Sequence, residues 1–221
     1  MPEPCCAGCY DATFDASKAR AEVRRYRRRG ATRATLALAD ALGRKGTDGR
    51  SVLDIGAGVG ALHHLLLARG AAEATDVDAS APYLAAARDE AARLGLGDKV
   101  SFMYGDFVAL AEQIPAADLV GLDRVVCCYG NVDALVRLAA LRTRRRLGII
   151  LPPDGLAARL VIGTSNLWYR LIRSPYRAYV HPHARIAAAA REGGLEPAGT
   201  SGVGVWRLLV YERPILTSDS R

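Results

Sequence analysis

The stretch of this chain best suited to bind a ligand is residues 51–60, SVLDIGAGVG, in which Asp54 precedes three glycines. Residues 52–55 predict a strand, Gly56, Gly58 and Gly60 predict a tight turn, and the apolar residues 61–68 predict a helix. Glycine lets the backbone approach a ligand closely, and the N-terminus of the next helix presents free N–H groups. The pattern therefore predicts a nucleotide-like ligand.

The charge of Asp54 helps to decide which nucleotide this is. Gly56, Gly58 and Ala61 also fit the dinucleotide pattern G-x-G-x-x-G/A, so spacing alone leaves an NAD-dependent oxidoreductase open. A carboxylate beside a pyrophosphate faces like charges, and each such pair at ~4 Å costs roughly 1 to 4 kcal/mol. S-adenosylmethionine carries an ammonium, a sulfonium and no phosphate. Asp54 therefore favours S-adenosylmethionine as the cofactor.

Residues 51–60 resemble the first motif of the class I methyltransferase family, in which a strand ends in an acidic residue followed by G-x-G-x-G. The resemblance extends over roughly residues 45–212 and is most specific at 52–60 and 76–80. It implies an α/β fold with a Rossmann-like, doubly wound sheet, mostly parallel with a closing antiparallel strand. The general layout is also distantly similar to that of the magnesium-protoporphyrin methyltransferases.

Asp78 is the predicted ribose-binding residue. It ends the second predicted strand, 18 residues beyond Gly60, where a carboxylate can accept both ribose hydroxyls. Asp76 is the rival on the same strand. The resemblance further implies that Asp106 accepts the adenine amino group, although a simple turn with this residue as a helix cap is the alternative.

Two more cofactor contacts are expected at the ends of the third and fourth strands. The resemblance implies that Phe107 flanks the adenine ring, and Asp123 ends the predicted strand at residues 117–123. Together with Asp54 and the three glycines, these residues complete the predicted cofactor site.

The predicted acceptor site lies after the fourth strand, because crevices in open α/β sheets lie outside the carboxyl ends of the strands. Cys127 and Cys128 are expected to bind substrate there, although small buried hydrophobes are the commoner fate of free cysteine. Tyr129 is a candidate catalytic residue. Tyr10 is a further candidate for substrate contact.

Residues 152–182 form a predicted substrate-facing insertion, since the minimal fold does not need them. Trp168 within it is a candidate for substrate contact, and His181 near its end is the candidate base. An imidazole with an unperturbed pKa of about 6.5 suits proton removal at neutral pH. The alternative is that His181 merely caps the helix predicted from Pro182.

The chain is expected to form a single domain over residues 1–221. Residues 1–45 hold helices predicted at 17–29 and 32–42, which the resemblance implies form a lid, and residues 46–151 form the cofactor-binding core. A helix is predicted at 132–145 and the fifth strand at 147–151. Residues 183–221 complete the domain with a helix and closing strands at 196–200 and 206–212.

The formal net charge of +7 is concentrated, because residues 18–29 hold seven basic residues against Glu22 alone. A second cluster consists of Arg142, Arg144, Arg145 and Arg146. Such runs indicate solvated helix faces or an anionic substrate, RNA included. Adenine-amino methylation of nucleic acid is weakened as an alternative, because residues 123–126 read DRVV where D/N/S-P-P-aromatic is typical.

These observations predict an enzyme that methylates an O or N atom of a small, possibly anionic molecule. The alternatives are an RNA methyltransferase, the NAD-dependent oxidoreductase, and a methyltransferase binding a thiol or metalloid through two groups of cysteines, Cys5, Cys6 and Cys9 with Cys127 and Cys128. The histidines show no recognisable metal-ligand spacing, so no metal is expected.

The expected location is cytoplasmic. The first ten residues lack the basic start and apolar middle of a signal peptide, and no apolar run approaches the ~20 residues of a membrane span, so no membrane partner is expected. Five cysteines, an odd number, are expected to be thiols in a reducing compartment. The sequence predicts no particular oligomeric state.

Overall fold

The structure is a computed structural model that describes residues 13–174 and 176–214. Its helices are α1 (Ala16–Arg29), α2 (Arg33–Gly43), α3 (Ala61–Ala68), α4 (Ala81–Arg93), α5 (Phe107–Leu110), α6 (Val132–Leu141), α7 (Leu156–Leu171) and α8 (His183–Glu192). Its strands are β1 (Ser51–Ile55), β2 (Glu73–Asp78), β3 (Val100–Tyr104), β4 (Ala117–Asp123), β5 (Thr143–Leu151), β6 (Glu196–Val203) and β7 (Trp206–Glu212). Single turns of 3-10 helix lie at Gly97–Lys99, Ala111–Gln113 and Val126–Cys128.

In the described part of the chain the strands form one sheet in the order β3-β2-β1-β4-β5-β7-β6. The pairs from β3 across to β5 are parallel, and β7 runs antiparallel to both of its neighbours. This confirms the predicted fold class. The strand order reverses between β1 and β4, and such a switch point opens a crevice at the carboxyl ends of the strands.

Helices cover both faces of this sheet because successive side chains of a strand point to opposite sides. On one face Leu53 and Val77 pack with Leu135 of α6, and on the other Val52 packs with Leu66 of α3. All five side chains are buried. This double layer fixes the strand ends, and with them the loops that carry the predicted site.

The predicted boundary between α6 and β5 is wrong. Helix α6 ends at Leu141 instead of residue 145, and β5 begins at Thr143, four residues before the predicted start. The arginines there were predicted to lie on a helix face, but Arg145 pairs with Asp118 and the buried Arg146 pairs with Glu212. Pairing with neighbouring strands, which local sequence does not reveal, outweighs the helical preference of this run.

The predicted insertion contains helix α7, which lies apart from the core. None of its residues is buried, and Leu156, Leu160 and Trp168 are among the large apolar side chains that it exposes. Asn166 joins it to the returning chain through two hydrogen bonds with the main chain of Ala178. Residues 177–181 pair with no strand in the described ranges.

Candidate active site

A cavity of ≈ 240 Å³ lies at the switch point of the sheet. One bound water needs only about 10–15 Å³, so this is space for a larger ligand. Its lining comes from α1 and the residue Phe14 before it, from the loops after β1, β3 and β4, and from the end of β2. The cavity thus joins most of the segments that carry predicted site residues.

The glycine turn lines one side of the cavity. Gly56 has φ +64° and Gly58 has φ +59°, conformations that are costly for residues with a side chain. A Cβ at Gly56 would also lie 2.6 Å from Val125 Cγ2. The turn that the sequence predicts is present, and the glycines bring bare backbone to the cavity wall.

Asp78 and Asp76 differ in what they face. Asp78 lines the cavity, and its carboxylate accepts hydrogen bonds from the backbone N–H groups of Gly58, at 3.1 Å, and Ser80, at 2.8 Å. Asp76 is fully buried behind the sheet end. Burial first, and then the charges of Asp54 and Asp78, hold the pKa of Asp76 well above its ordinary value.

Asp54 does not line the cavity, although the sequence assigned it to the cofactor. Its buried carboxylate meets His63, whose Nδ1 lies 3.0 Å from Oδ2. The side chain points to the face of the sheet that α3 covers, because Asp54 alternates with the core residues Leu53 and Ile55. The nearby His64 is also buried, and this burial lowers its pKa to about 3.

Asp106 and Tyr129 meet inside the cavity. The Tyr129 hydroxyl donates to the Asp106 carboxylate at 2.9 Å, and Asp106 also caps the short helix α5 through the N–H of Val108. Phe107 is buried beside them and lines the cavity. Asp106 therefore both caps a helix, as the alternative interpretation held, and lines the cavity.

Asp123 ends β4 and anchors the floor of the cavity. Its carboxylate accepts a hydrogen bond from Thr35 of α2 at 2.6 Å and pairs with the guanidinium of Arg124 at 2.9 Å. Arg124 has φ +65°, the left-handed region that non-glycine residues rarely adopt. The ion pair with Asp123 raises the pKa of Arg124 against the effect of its burial.

The two cysteines lie in the turn that follows Arg124. Their Sγ atoms are 3.8 Å apart, and Cys128 lines the cavity. The Cys128 thiol also contacts the hydroxyl of Tyr176 at 2.9 Å. Tyr176 packs edge-on against Phe14, which lines the cavity, so segments distant in sequence meet beside it.

Several predicted residues lie elsewhere. His181 is buried outside the cavity wall, and its Nε2 lies 2.9 Å from the main-chain oxygen of Tyr129. Trp168 is 62% exposed on α7, away from the cavity wall, and Tyr10 lies outside the described residues. The predicted site residues that line the cavity are Gly56, Gly58, Asp78, Asp106, Phe107, Asp123, Cys128 and Tyr129, while Asp54, Gly60, Cys127, Trp168 and His181 do not.

The structure adds cavity residues that the sequence analysis missed. Glu22 and Arg25 of α1 both line the cavity, and Glu22 accepts a hydrogen bond from the Tyr83 hydroxyl at 3.0 Å. The available signal was that Glu22 is the single acid in a basic helix. Phe14 and Arg124 carried no such signal, because only tertiary packing brings them to the site.

The described ranges hold no group of three or more histidine, cysteine or acidic side chains arranged to bind a metal ion. In the same ranges no helix has both the length and the apolar character needed to cross a membrane. The residues that line the cavity come mainly from a glycine turn, acidic strand ends and a thiol-containing loop.

Comparison with known proteins identifies the family. A family model described as a methyltransferase domain matches residues 52–149, from β1 into β5. The chain contains a class I S-adenosylmethionine-dependent methyltransferase domain. This confirms the predicted family and enzyme class, and with them the methyl donor, and it decides against the NAD-dependent oxidoreductase.

Solved methyltransferase structures share this fold. The magnesium protoporphyrin IX methyltransferase from Synechocystis PCC 6803, solved with bound S-adenosylhomocysteine, is 25% identical over 82% of each chain, with a TM-score of 0.65. An O-methyltransferase family protein from Burkholderia thailandensis is 21% identical over 92% of this chain and 62% of its own, with a TM-score of 0.71.

A third likeness involves a protein complex. The structure is the complex between the Haloferax volcanii Trm112 methyltransferase activator and a putative methyltransferase. The matched chain of that complex is 17% identical over 93% of the present chain and 96% of the matched chain, with a TM-score of 0.65. At this identity the likeness shows the fold alone. No curated protein matches the sequence significantly.

Proposed function

We propose that this methyltransferase transfers the methyl group of S-adenosylmethionine to an O or N atom of a small-molecule acceptor. The observation that carries the proposal is that the N-terminal segment and helix α1 contribute to the cavity wall. Phe14, Glu22 and Arg25, all from the N-terminal part of the chain, line the cavity together with the glycine turn. A site framed by α1 and the strand ends suits a small acceptor better than a polymer, and Arg25 in its wall suits an acceptor with an anionic group.

The residues present fit the adenosine half of the donor. Asp78 stands at the ribose position, oriented by the backbone N–H groups of Gly58 and Ser80. A carboxylate there can accept the ribose hydroxyls. Asp106 and Phe107 lie together at the adenine position, where one offers an acceptor for the amino group and the other an apolar surface for the ring.

The methionine half is assigned to the end of β4. Asp123 offers a carboxylate for the ammonium, and Arg124 offers a guanidinium for the carboxylate of the amino acid. Asp54, which the sequence assigned to the cofactor, contacts His63 instead. We assign Asp54 to holding α3 against β1, which fixes the glycine turn between them.

When bound, the donor supplies an activated methyl group on a sulfonium. The protein's main task is then to hold the acceptor atom in line with the breaking bond, because positioning provides much of the rate. Cys128 and Tyr129 form the wall on the acceptor side. His181 contacts the main chain of Tyr129, so we assign it to positioning this wall instead of removing a proton.

A panel of small hydroxyl and amine compounds, with and without a carboxylate, tests this proposal. Methylated products are followed by mass spectrometry for the unmodified chain and for Asp78→Ala. We expect methylation of some members of the panel, strongest among the acids, and a loss of at least about tenfold in kcat/KM for Asp78→Ala at low donor concentration. Products that form equally well with both chains would contradict the assigned site.

RNA is the second candidate acceptor, and one observation favours it. Arg20, Arg24, Arg28 and Arg29 are exposed on α1, the helix that also supplies residues to the cavity wall. Basic side chains beside a site are the usual electrostatic footprint for a phosphate backbone. The salt dependence of binding separates the two candidates.

A further inference from the structure

The Cys127–Cys128 pair is the most unusual chemical feature of the cavity. The two residues are adjacent in sequence, yet their thiols lie on one side of the turn, with Sγ atoms 3.8 Å apart. Both side chains are partly buried and reduced. Cys128 lines the cavity, and its thiol contacts the hydroxyl of Tyr176 at 2.9 Å.

The backbone before the pair is held in a costly conformation. Arg124 has φ +65°, which costs roughly 1–2 kcal/mol for a residue with a Cβ. Its N–H donates to the carbonyl of Ile150, and its carbonyl lies 3.2 Å from the Cys127 sulfur and 3.8 Å from the Cys128 sulfur. The conformation thus turns one carbonyl toward both thiols, and strain of this kind clusters at functional sites.

The separation of the sulfurs fits chelation. A disulfide requires about 2.05 Å between them. One metal at about 2.3 Å from each sulfur, with an angle of about 110° at the metal, requires about 3.8 Å. The observed 3.8 Å matches the second case. The pair is therefore spaced to hold one thiophilic atom between the two sulfurs without backbone movement.

We propose that Cys127 and Cys128 form a dithiol site that binds one soft, thiophilic centre, of the class of trivalent arsenicals, at the acceptor end of the cavity. Soft ligands such as thiolates select soft centres. The site holds two sulfurs, fewer than a closed structural metal site contains, so the bound centre keeps positions that face the cavity. This proposal does not depend on methyl transfer.

The protonation of the pair suits such a ligand. The hydrogen bond from Cys127, followed by that from Tyr176 and the charge of Arg124, lowers the pKa of Cys128 to about 7 against the effect of burial. The hydrogen bond with Cys128, together with burial, raises the pKa of Cys127. One thiolate and one thiol are therefore available near neutral pH, and the thiolate is the form that attacks a soft centre.

The binding step needs no oxidant or reductant. With the hydrated form of phenylarsine oxide, each sulfur forms one S–As bond and displaces one hydroxyl. The hydroxyl displaced by the thiol leaves as water with the thiol proton, and the hydroxide displaced by the thiolate takes its proton from solvent. Arsenic stays trivalent throughout. The product is a ring that contains both sulfurs, and one arsenic is bound per chain.

Phenylarsine oxide tests the proposal on the full chain with Cys5, Cys6 and Cys9 replaced by serine, which leaves Cys127 and Cys128 as its thiols. We expect one arsenic per chain by intact-mass spectrometry, with both thiols lost in a colorimetric titration. Cys127→Ser and Cys128→Ser in this background should each weaken binding by at least about 100-fold, the usual gain from linking two weak contacts.

Two controls make the experiment decisive. Melting temperatures of the single variants within a few degrees of the parent show that they fold, and the parent unfolded in urea should bind at least about tenfold more weakly, because its thiols are no longer pre-organised. Single variants that bind within about tenfold of the parent, or two arsenic atoms per chain, would overturn the proposal. Equal affinity of the folded and unfolded parent would overturn it as well.

Discussion

Asp76 and Asp78 lie two residues apart on β2, and their carboxyl groups meet different surroundings. Asp78 faces the cavity and is held by two backbone N–H groups, while Asp76 is fully buried. Strand alternation places both side chains on the same side of the sheet. They differ because Asp78 is the last residue of the strand and Asp76 lies within it. Two acids on the same side of one strand can therefore have different surroundings and different roles.

The first prediction concerns the donor. Asp78→Ala should weaken binding of S-adenosylhomocysteine by at least about tenfold, because hydrogen bonds to a charged group are worth roughly 1.5–3 kcal/mol. The matched control is Asp76→Asn, which should leave affinity within about threefold. Isothermal titration calorimetry measures both, and the reverse ranking would mean that Asp76 holds the ribose.

The second prediction concerns pH and stability. Asp76 holds its proton to higher pH in the fold than in the unfolded chain, because burial raises its pKa well above the ordinary 3.8. The free energy of unfolding therefore falls as pH rises above about 3.8, until the pKa of the folded state is reached. The groups that act on Asp76 are Asp54, Asp78 and Arg88.

Asp76→Asn replaces the protonated acid with a neutral side chain of similar shape. Its melting temperature should match that of the parent near pH 4 and exceed it by at least about 2–4 °C near pH 7, the shift that roughly 1 kcal/mol gives in a chain of this size. Scanning calorimetry at several pH values measures this difference. A difference that stays constant across the range would show that Asp76 ionises in the fold.

At the scale of elements, helix α1 lines the cavity and is tied to α4. Glu90 of α4 has a fully buried side chain, and it accepts hydrogen bonds from Arg27 of α1 at 2.7 Å and from Arg93 at 3.0 Å. The Arg27 side chain is half exposed, which limits the strength of this contact. The tie nevertheless fixes the helix that carries Glu22 and Arg25.

The third prediction follows from this tie. Arg27→Met should weaken S-adenosylhomocysteine binding about three- to tenfold, the effect of roughly 1 kcal/mol, because α1 loses a contact that holds it over the cavity. Arg28→Met is the matched control, since that exposed side chain bonds to the carbonyl of Arg24 in its own helix. Equal effects of the two substitutions would show that the loss of a positive charge, and not the loss of the contact with Glu90, weakens S-adenosylhomocysteine binding.

The fourth prediction separates the acceptor classes through the exposed face of α1. If the acceptor is a small molecule, the affinity for RNA should be weak, and the KM for the acceptor should change by less than about tenfold between 50 and 200 mM salt. An RNA substrate with 6–10 phosphate contacts would lose about 10³–10⁵ in affinity over that range. A fall of that size would favour RNA.

Local spacing was enough to predict some elements and not others. The glycine turn and the end of β2 depend on residues close in sequence, so their positions were predictable. The start of β5 was not, because Arg145 and Arg146 find their partners on β4 and β7. The orientation of Asp54 was missed because the glycine pattern does not indicate that His63, on the helix after the turn, contacts its carboxylate.

At the scale of the whole molecule, one sheet organises the site. The strand order places the ends of β1, β2 and β4 around one cavity, and helix α1 contributes to its wall from a distant part of the chain. The fold class was predictable because it follows from alternating strands and helices. The acceptor wall was only partly predictable, because it depends on how these distant segments meet.

The central claim is that this cavity passes a methyl group from S-adenosylmethionine to a small molecule. The most direct measurement incubates the full chain with methyl-labelled donor and a cell extract, then separates the label into small-molecule, RNA and protein fractions. We predict label in the small-molecule fraction, resistant to nuclease and protease, and reduced at least about tenfold by Asp78→Ala. Label that enters nuclease-sensitive RNA, or none transferred by a chain that binds the donor, would contradict the claim.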